Sequence, residues 1–86
     1  MTRKQVLEIL ENNGYFSKND KGVYCYNNTT IEVDDNGLLA VFWQNNNCIG
    51  GTSLIFENIT SLKIYKGYYM VDSIIFAING VLYYIS

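Results

Sequence analysis

The sequence predicts an α+β fold: one N-terminal helix packed on a curved antiparallel sheet or partial barrel of about six strands, ending in a type I′ hairpin. Residues 2–12 show helical spacing of apolar residues, and after Gly14 short alternating apolar runs are separated by Asn, Asp and Gly. Asn79-Gly80 joins two apolar runs and is the preferred two-residue hairpin turn. A chain of 86 residues has room for one domain, which we assign to residues 1–86.

The helix is predicted over residues 2–12. Val6, Ile9 and Leu10 follow the spacing of one helical face. Thr2 followed by Gln5 is typical of a capping box, and the run 12–14 (Asn-Asn-Gly) predicts the stop. The charges of this helix oppose its dipole, so we expect it to depend on packing for its stability.

Antiparallel β structure is predicted over residues 23–86, because each apolar run is bounded by residues that tolerate left-handed backbone. A long loop is expected from Gln44 to Gly51, with Gly50-Gly51 as a flexible connector. The predicted strands are 23–26, 29–33, 38–43, 52–57, 74–78 and 81–86, and residues 59–65 and 68–71 are expected to be strand as well.

The last hairpin is apolar on both faces, unlike a sheet with one solvated side. Two interpretations stay open. Either the hairpin lies in the middle of the fold and is covered on both sides, or one of its faces is an interface with another chain. Edge pairing through this hairpin would also allow a homodimer.

Composition argues against most enzymes. The chain has no His, which removes the commonest proton shuttle, and its charged fraction is only 16% with a net charge of −2. The acidic run 32–37 lacks the Glu that completes a calcium loop, and Gly50-Gly51-Thr52-Ser53 lacks the Lys of a phosphate loop. We therefore expect a non-enzymatic protein with no cofactor and no metal. Carboxylate-pair hydrolysis stays open only if distant acidic residues meet in space, namely Glu32, Asp34, Glu57 and Asp72.

Cysteine usage and the absence of a signal or apolar span predict a cytoplasmic protein. Cys25 and Cys48 match neither a redox pair nor a zinc site, so we expect two buried or half-buried free thiols. Abundant Asn, Ile and Tyr indicate AT-rich codons, and hence a low-GC bacterium or one of its phages.

Two segments carry candidate partner-binding residues. Trp43 opens into the amide run Asn45, Asn46 and Asn47, which is either a core residue beside a loop or an interface hot spot with a polar rim. The segment 63–69 interleaves Lys with Tyr65, Tyr68 and Tyr69, a mixture that binds single strands of nucleic acid in some proteins. So few cations make nucleic-acid binding the weaker interpretation.

The segment Phe56–Ile64, followed by two apolar strands, resembles the core meander of bacterial pleckstrin-homology-like domains. That resemblance implies a small-ligand or single-stranded nucleic-acid binding module. In type, a small chain poor in charge and without catalytic groups is similar to the inhibitors that phages and mobile elements direct against host defence, including anti-CRISPR proteins. The function expected first is binding to a host or defence-complex protein and covering its functional surface. The alternatives are the ligand-binding module and an immunity protein for a toxin.

Overall fold

The computed structural model describes residues 1–67 and 74–85, and within them the predicted α+β class is confirmed. The strands of these residues form two antiparallel sheets, and neither closes into a barrel. The helix α1 spans Arg3–Asn12, and a 3₁₀ turn spans Phe56–Asn58. The first sheet contains, in spatial order, β1 (Ser17–Lys18), β2 (Tyr24–Tyr26), β3 (Thr29–Val33), β4 (Gly37–Gln44) and β5 (Asn47–Ile55). The second contains β6 (Leu62–Lys66), β7 (Ile74–Ile78) and β8 (Val81–Ile85).

The helix is as the sequence predicts at both ends. The Thr2 Oγ1 atom accepts a hydrogen bond from the Gln5 N–H at 3.1 Å, and the Thr2 N–H donates to Gln5 Oε1 at 2.9 Å. At the other end the Asn13 amide donates to the Ile9 carbonyl at 2.9 Å, before Gly14 turns the chain with φ +82°. Among the described residues, no helix has the length and apolar character needed to cross a membrane.

The β4–β5 connection differs from the predicted loop. Asn45 and Asn46 have φ of 50° and 65° and alone form the turn, while Gln44 pairs with Asn47. Two successive residues that tolerate left-handed backbone are enough for a two-residue hairpin, so a longer polar loop is not needed. Gly50 and Gly51 accordingly lie inside β5, and their prediction as a flexible connector is wrong.

Other strand predictions differ in extent. The two-residue strand β1 was not predicted, residues 56–57 form a 3₁₀ turn where a strand was expected, and β6 begins at Leu62. The predicted strand 68–71 lies outside the described residues. The expectation of about six strands in one sheet is replaced by eight strands in two sheets among the described residues.

The final hairpin forms as predicted, and its turn is also bonded to the preceding loop. Asn79 and Gly80 have φ of 51° and 81°, as a type I′ turn requires. The Asn79 Oδ1 atom accepts from the Thr60 N–H at 2.6 Å, and its amide donates to the Asn58 carbonyl at 2.7 Å. The side chain of Asn79 therefore holds the turn against the segment that enters β6.

A series of aromatic rings connects the two sheets. Phe16 lies edge-on to Tyr26 and Phe76, with ring centroids 6.1 and 6.4 Å apart. Tyr83 of β8 stacks on Phe42 of β4 at 5.4 Å with an interplanar angle of 20°. Around these rings lies one apolar core to which the helix and both sheets contribute, formed by Val6, Leu10, Tyr24, Ile31, Leu38, Ala40, Phe56, Ile59, Leu62, Ile74, Phe76 and Ile78.

Candidate functional site

The predicted partner-binding residues fall in two parts of the fold. Trp43 and the amides Asn45, Asn46 and Asn47 lie at the far end of the β4–β5 hairpin. Tyr65 lies in β6 of the other sheet and is 42% exposed. The predicted residues Tyr68 and Tyr69 lie outside the described residues.

Trp43 is a surface residue, so its interpretation as a core residue is wrong. Its side chain is 37% exposed, and the indole N–H donates to Thr30 Oγ1 at 2.9 Å. The Trp43 backbone N–H donates to the Asn28 carbonyl at 2.8 Å. These two bonds fix the orientation of the ring while leaving part of its surface in solvent, as a binding residue requires.

The three amides beside Trp43 have a structural explanation in addition to the predicted one. Asn45 and Asn46 supply the left-handed turn, and Asn47 begins β5 opposite Gln44. All three are exposed. Their participation in a polar rim stays a prediction, whereas their placement at the turn follows from the backbone that Asn tolerates.

A groove opens beside this hairpin, and the chain places three exposed apolar residues around it. Trp43, Ile49 and Tyr84 line it with exposed fractions of 37%, 62% and 62%. The ladder register shifts between Phe42 and Trp43, so that Ile49 has no partner in β4. The groove has a volume of about 450 Å³, and its remaining lining residues are Asn28, Thr29, Phe42, Gln44 and Gly50.

The outer face of the three-stranded sheet has exposed side chains on its two outer strands, whereas Ile75 and Ala77 of β7 between them are buried. Strand register places Tyr65, Ile75 and Tyr84 in one row across the sheet. The adjacent row holds Lys63, Ala77 and Leu82, of which Leu82 is 48% exposed. Tyr84 therefore belongs both to this face and to the groove beside Trp43.

Neither interpretation of the apolar hairpin holds for both of its strands. All five residues of β7 are buried, as expected of a strand inside the fold. Strand β8 instead exposes Val81, Leu82 and Tyr84 by 55%, 48% and 62%. The covered part is thus β7, and the part available to a partner is β8.

Among the described residues, the titratable groups with shifted pKa values do not line the groove beside Trp43. Tyr24 donates from its hydroxyl to Glu11 Oε1 at 2.7 Å, and Lys18 Nζ lies 3.3 Å from the same oxygen. The bond from Tyr24, with help from Lys18, lowers the pKa of the Glu11 carboxyl. Backbone N–H groups of Asn36 and Gly37, both at 2.7 Å, lower the pKa of Asp34. Both carboxylates have structural partners that account for these shifts.

Of the carboxylates considered for hydrolysis, Glu32 and Asp34 line one groove and Glu57 lines a neighbouring one that shares Asn36 and Ile55 with it. Asp72 lies outside the described residues. The residues that the structure describes contain no cluster of three or more acidic, Cys or His side chains suited to a metal. Cys25 is a half-buried free thiol as expected, but Cys48 is exposed, so that prediction is wrong for Cys48.

No protein-family model, curated protein or solved structure matches the chain. The resemblance of Phe56–Ile64 to pleckstrin-homology-like domains therefore gains no support, and that segment begins with a 3₁₀ turn. Arguments about function rest on the surface of the molecule itself.

Sequence reasoning missed Ile49, Leu82 and Tyr84 as exposed residues. The apolar outer face of the last hairpin was visible in the sequence and could have suggested Leu82 and Tyr84. Ile49 could not be found in this way, since its exposure depends on a shift of register between two strands.

Proposed function

We propose that this chain is a non-enzymatic protein-binding module. Its contact surface, called here the apolar surface, consists of Trp43, Ile49, Tyr65, Leu82 and Tyr84. The observation that carries the proposal is that Tyr84 joins the groove beside Trp43 to the outer face of the three-stranded sheet. Isolated exposed apolar residues are ordinary on protein surfaces, whereas three of them around one groove, as Trp43, Ile49 and Tyr84 are, indicate an interaction site.

The chemistry of this surface fits a protein partner. Trp and Tyr are the residues that most often dominate the energy of protein interfaces, and three of the five members are of these types. The exposed amide of Gln44 lines the groove and those of Asn45 and Asn46 follow it in the turn, so they offer hydrogen bonds at a rim. Lys63 is the one charged residue among the six outer-face positions, so a polyanion finds little to neutralise there.

The proposed mechanism is occlusion. A rigid apolar surface that covers a functional region of another protein blocks that region without any chemical step. The most concrete version is a phage-type inhibitor of a host defence protein. Its support is the small size and low charge of the chain, together with an amino-acid usage that indicates AT-rich codons. An immunity protein would use the same surface in the same way, and the identity of the captured partner separates the two.

The experiment is capture of a partner by the tagged protein from lysate of a low-GC bacterium with active defence systems, followed by binding measurements with the purified partner. Ile49→Asp is the test variant and Ile55→Asp its matched control, because both residues are exposed isoleucines of β5 and only Ile49 lines the groove. Trp43→Ala is a second test variant.

We expect one protein captured in near-stoichiometric amount, with affinity reduced at least about tenfold by Ile49→Asp and by Trp43→Ala. Ile55→Asp should bind as the wild type does. Equal loss with both isoleucine variants, or recovery of nucleic acid alone with strong salt dependence, would contradict the proposal.

A further inference from the structure

The described residues offer four sheet edges, and three of them are protected against pairing with another strand. Strand β1 has only two residues, β6 carries Lys63 and Lys66, and β5 has a bulge at Ile49 followed by Gly50 and Gly51, which weaken a strand. Short edges, bulges and Lys are the devices by which proteins prevent edge association. Strand β8, with the sequence VLYYI, has five uninterrupted uncharged residues and none of these devices.

The hairpin turn determines which backbone groups of β8 are free. A two-residue turn makes its flanking residues, Ile78 and Val81, a hydrogen-bonded pair. Bonded and non-bonded pairs alternate along an antiparallel ladder, so Tyr83 is also bonded to β7. Leu82 and Tyr84 therefore direct their N–H and C=O groups away from β7, toward the open edge.

We infer that this edge binds a second copy of the same chain, with the two β8 strands antiparallel and Tyr83 facing Tyr83 of the other copy. Leu82 then lies opposite Tyr84 of the other copy, and each of these two pairs exchanges two hydrogen bonds. In this register the N–H and C=O groups of Leu82 and Tyr84 in each copy all form hydrogen bonds with the other copy. The reason is that the residues whose backbone groups point to the open edge lie opposite one another. The result is a six-stranded sheet across a two-fold axis.

Two features of β8 suit it to pairing with a second copy of the same strand. In a symmetric contact between two identical strands, a charged side chain lies close to the same charge on the other copy and is repelled. Strand β8 has no charged residue, so this repulsion does not arise. The pairing also places the exposed side chains of Leu82 and Tyr84 against each other twice, as aliphatic and aromatic cross-strand neighbours. The axis is perpendicular to the sheet, so the two outer faces lie on the same side and extend one apolar surface.

The contact is short, and we expect a dimer that depends on concentration. Sedimentation velocity of the purified protein should give the 9.9 kDa monomer when dilute and twice that mass when concentrated. Charge variants test the register. Leu82→Lys/Tyr84→Lys and Leu82→Glu/Tyr84→Glu should each stay monomeric alone and form a mixed dimer when combined, whereas Leu82→Glu/Tyr84→Lys should dimerise by itself. Circular dichroism verifies that each variant is folded.

Amide hydrogen exchange provides a measurement on the unchanged protein. Exchange at Leu82 and Tyr84 should slow as concentration rises, while exchange at Val81 and Tyr83 should be slow throughout. A wild type that stays monomeric at about 1 mM, or a Lys/Lys variant that still dimerises, would overturn the inference. Dimerisation with equal exchange at all four amides would overturn it as well. Leu82 and Tyr84 also belong to the apolar surface, but these experiments need no partner protein, so failure of the dimer can be told apart from failure of the proposed function.

Discussion

Gly51 and its neighbour Gly50 have the same chemistry but different surroundings in β5. A Cβ atom built on Gly51 would lie 2.7 Å from the Ala40 carbonyl oxygen, whereas one on Gly50 would have no atom within 4 Å. Backbone cannot move aside as the end of a flexible side chain can. Gly51 is therefore required for the close approach of β4 and β5, and Gly50 is not.

We expect Gly51→Ala to lower the free energy of unfolding by about 1–3 kcal/mol, the usual cost of forcing extra volume into a packed site. Gly50→Ala should be neutral or raise stability by up to about 1 kcal/mol, because Ala has less freedom to lose on folding. Chemical denaturation of the two variants measures the difference. Equal midpoints would show that β4 and β5 are not as close at Gly51 as the structure has them.

At the scale of elements, the side chain of Glu11 connects the end of α1 with β1 and β2. It accepts the hydroxyl of Tyr24 at 2.7 Å and pairs with Lys18 at 3.3 Å, and Lys18 lies over the Tyr24 ring at 5.5 Å. The helix has no acidic residue in its first turn and no basic residue in its last, so its dipole is not compensated. Contacts of this kind, together with burial of Val6 and Leu10, hold it in place.

This contact predicts a pH dependence. The pKa of Glu11 is lower in the folded chain than in the unfolded chain, chiefly through the bond from Tyr24. Its contribution to stability is therefore complete above the unfolded pKa and is lost as the pH falls through the folded pKa. We expect Tyr24→Phe to be less stable than the wild type at pH 7, with the difference shrinking on acidification. Thermal unfolding between pH 7 and pH 2 measures it.

The matched comparison is Asp34→Asn. Asp34 also has a lowered pKa, caused by the N–H groups of Asn36 and Gly37, and it lies in the β3–β4 turn. If the difference in stability between the wild type and Tyr24→Phe were the same at all pH values, the role given to Glu11 would be contradicted. Asp34→Asn should reduce the loss of stability on acidification by the part that comes from Asp34, independently of the effect of Tyr24→Phe.

Local elements could be predicted from the sequence because each depends on neighbouring residues. Thr2 with Gln5 begins the helix, and Asn79-Gly80 gives the final hairpin, as predicted. The Asn45-Asn46 turn differs from the predicted loop, because the successive amides of residues 44–47 are typical of a polar connector. Only the register of the two strands shows that Gln44 and Asn47 are paired. A shift of one residue there decides whether Ile49 points to solvent or to the core.

At the scale of the whole molecule, the division into two sheets could not be predicted. It depends on which strands pack across the core, and nothing in the local pattern of residues 59–85 distinguishes a second sheet from a continuation of the first. The same holds for the candidate site. Trp43 can be singled out by residue type, but its groove with Tyr84 exists only because the two sheets approach each other beside Phe42.

The stacking of Phe42 on Tyr83 is the contact that tests this arrangement. The rings lie 5.4 Å apart, nearly parallel, and belong to different sheets. We expect a double-mutant cycle with Phe42→Leu and Tyr83→Leu to give a coupling energy of about 0.5–1.5 kcal/mol, the usual value for an aromatic pair beyond its buried area. Urea denaturation of the wild type, the two single variants and the double variant supplies the four free energies.

A matched cycle pairs Tyr83→Leu with Leu39→Ala. Leu39 belongs to the same strand as Phe42 but is exposed and an odd number of positions away, so it projects from the opposite face of the sheet. Its effect should add to that of Tyr83 within about 0.5 kcal/mol. Additivity in both cycles would mean that β4 and β8 do not touch, and the groove shared by Trp43 and Tyr84 would then be lost as a binding site. Coupling confined to the first cycle would place β8 against β4, and with it Tyr84 beside the groove that Phe42 and Trp43 line.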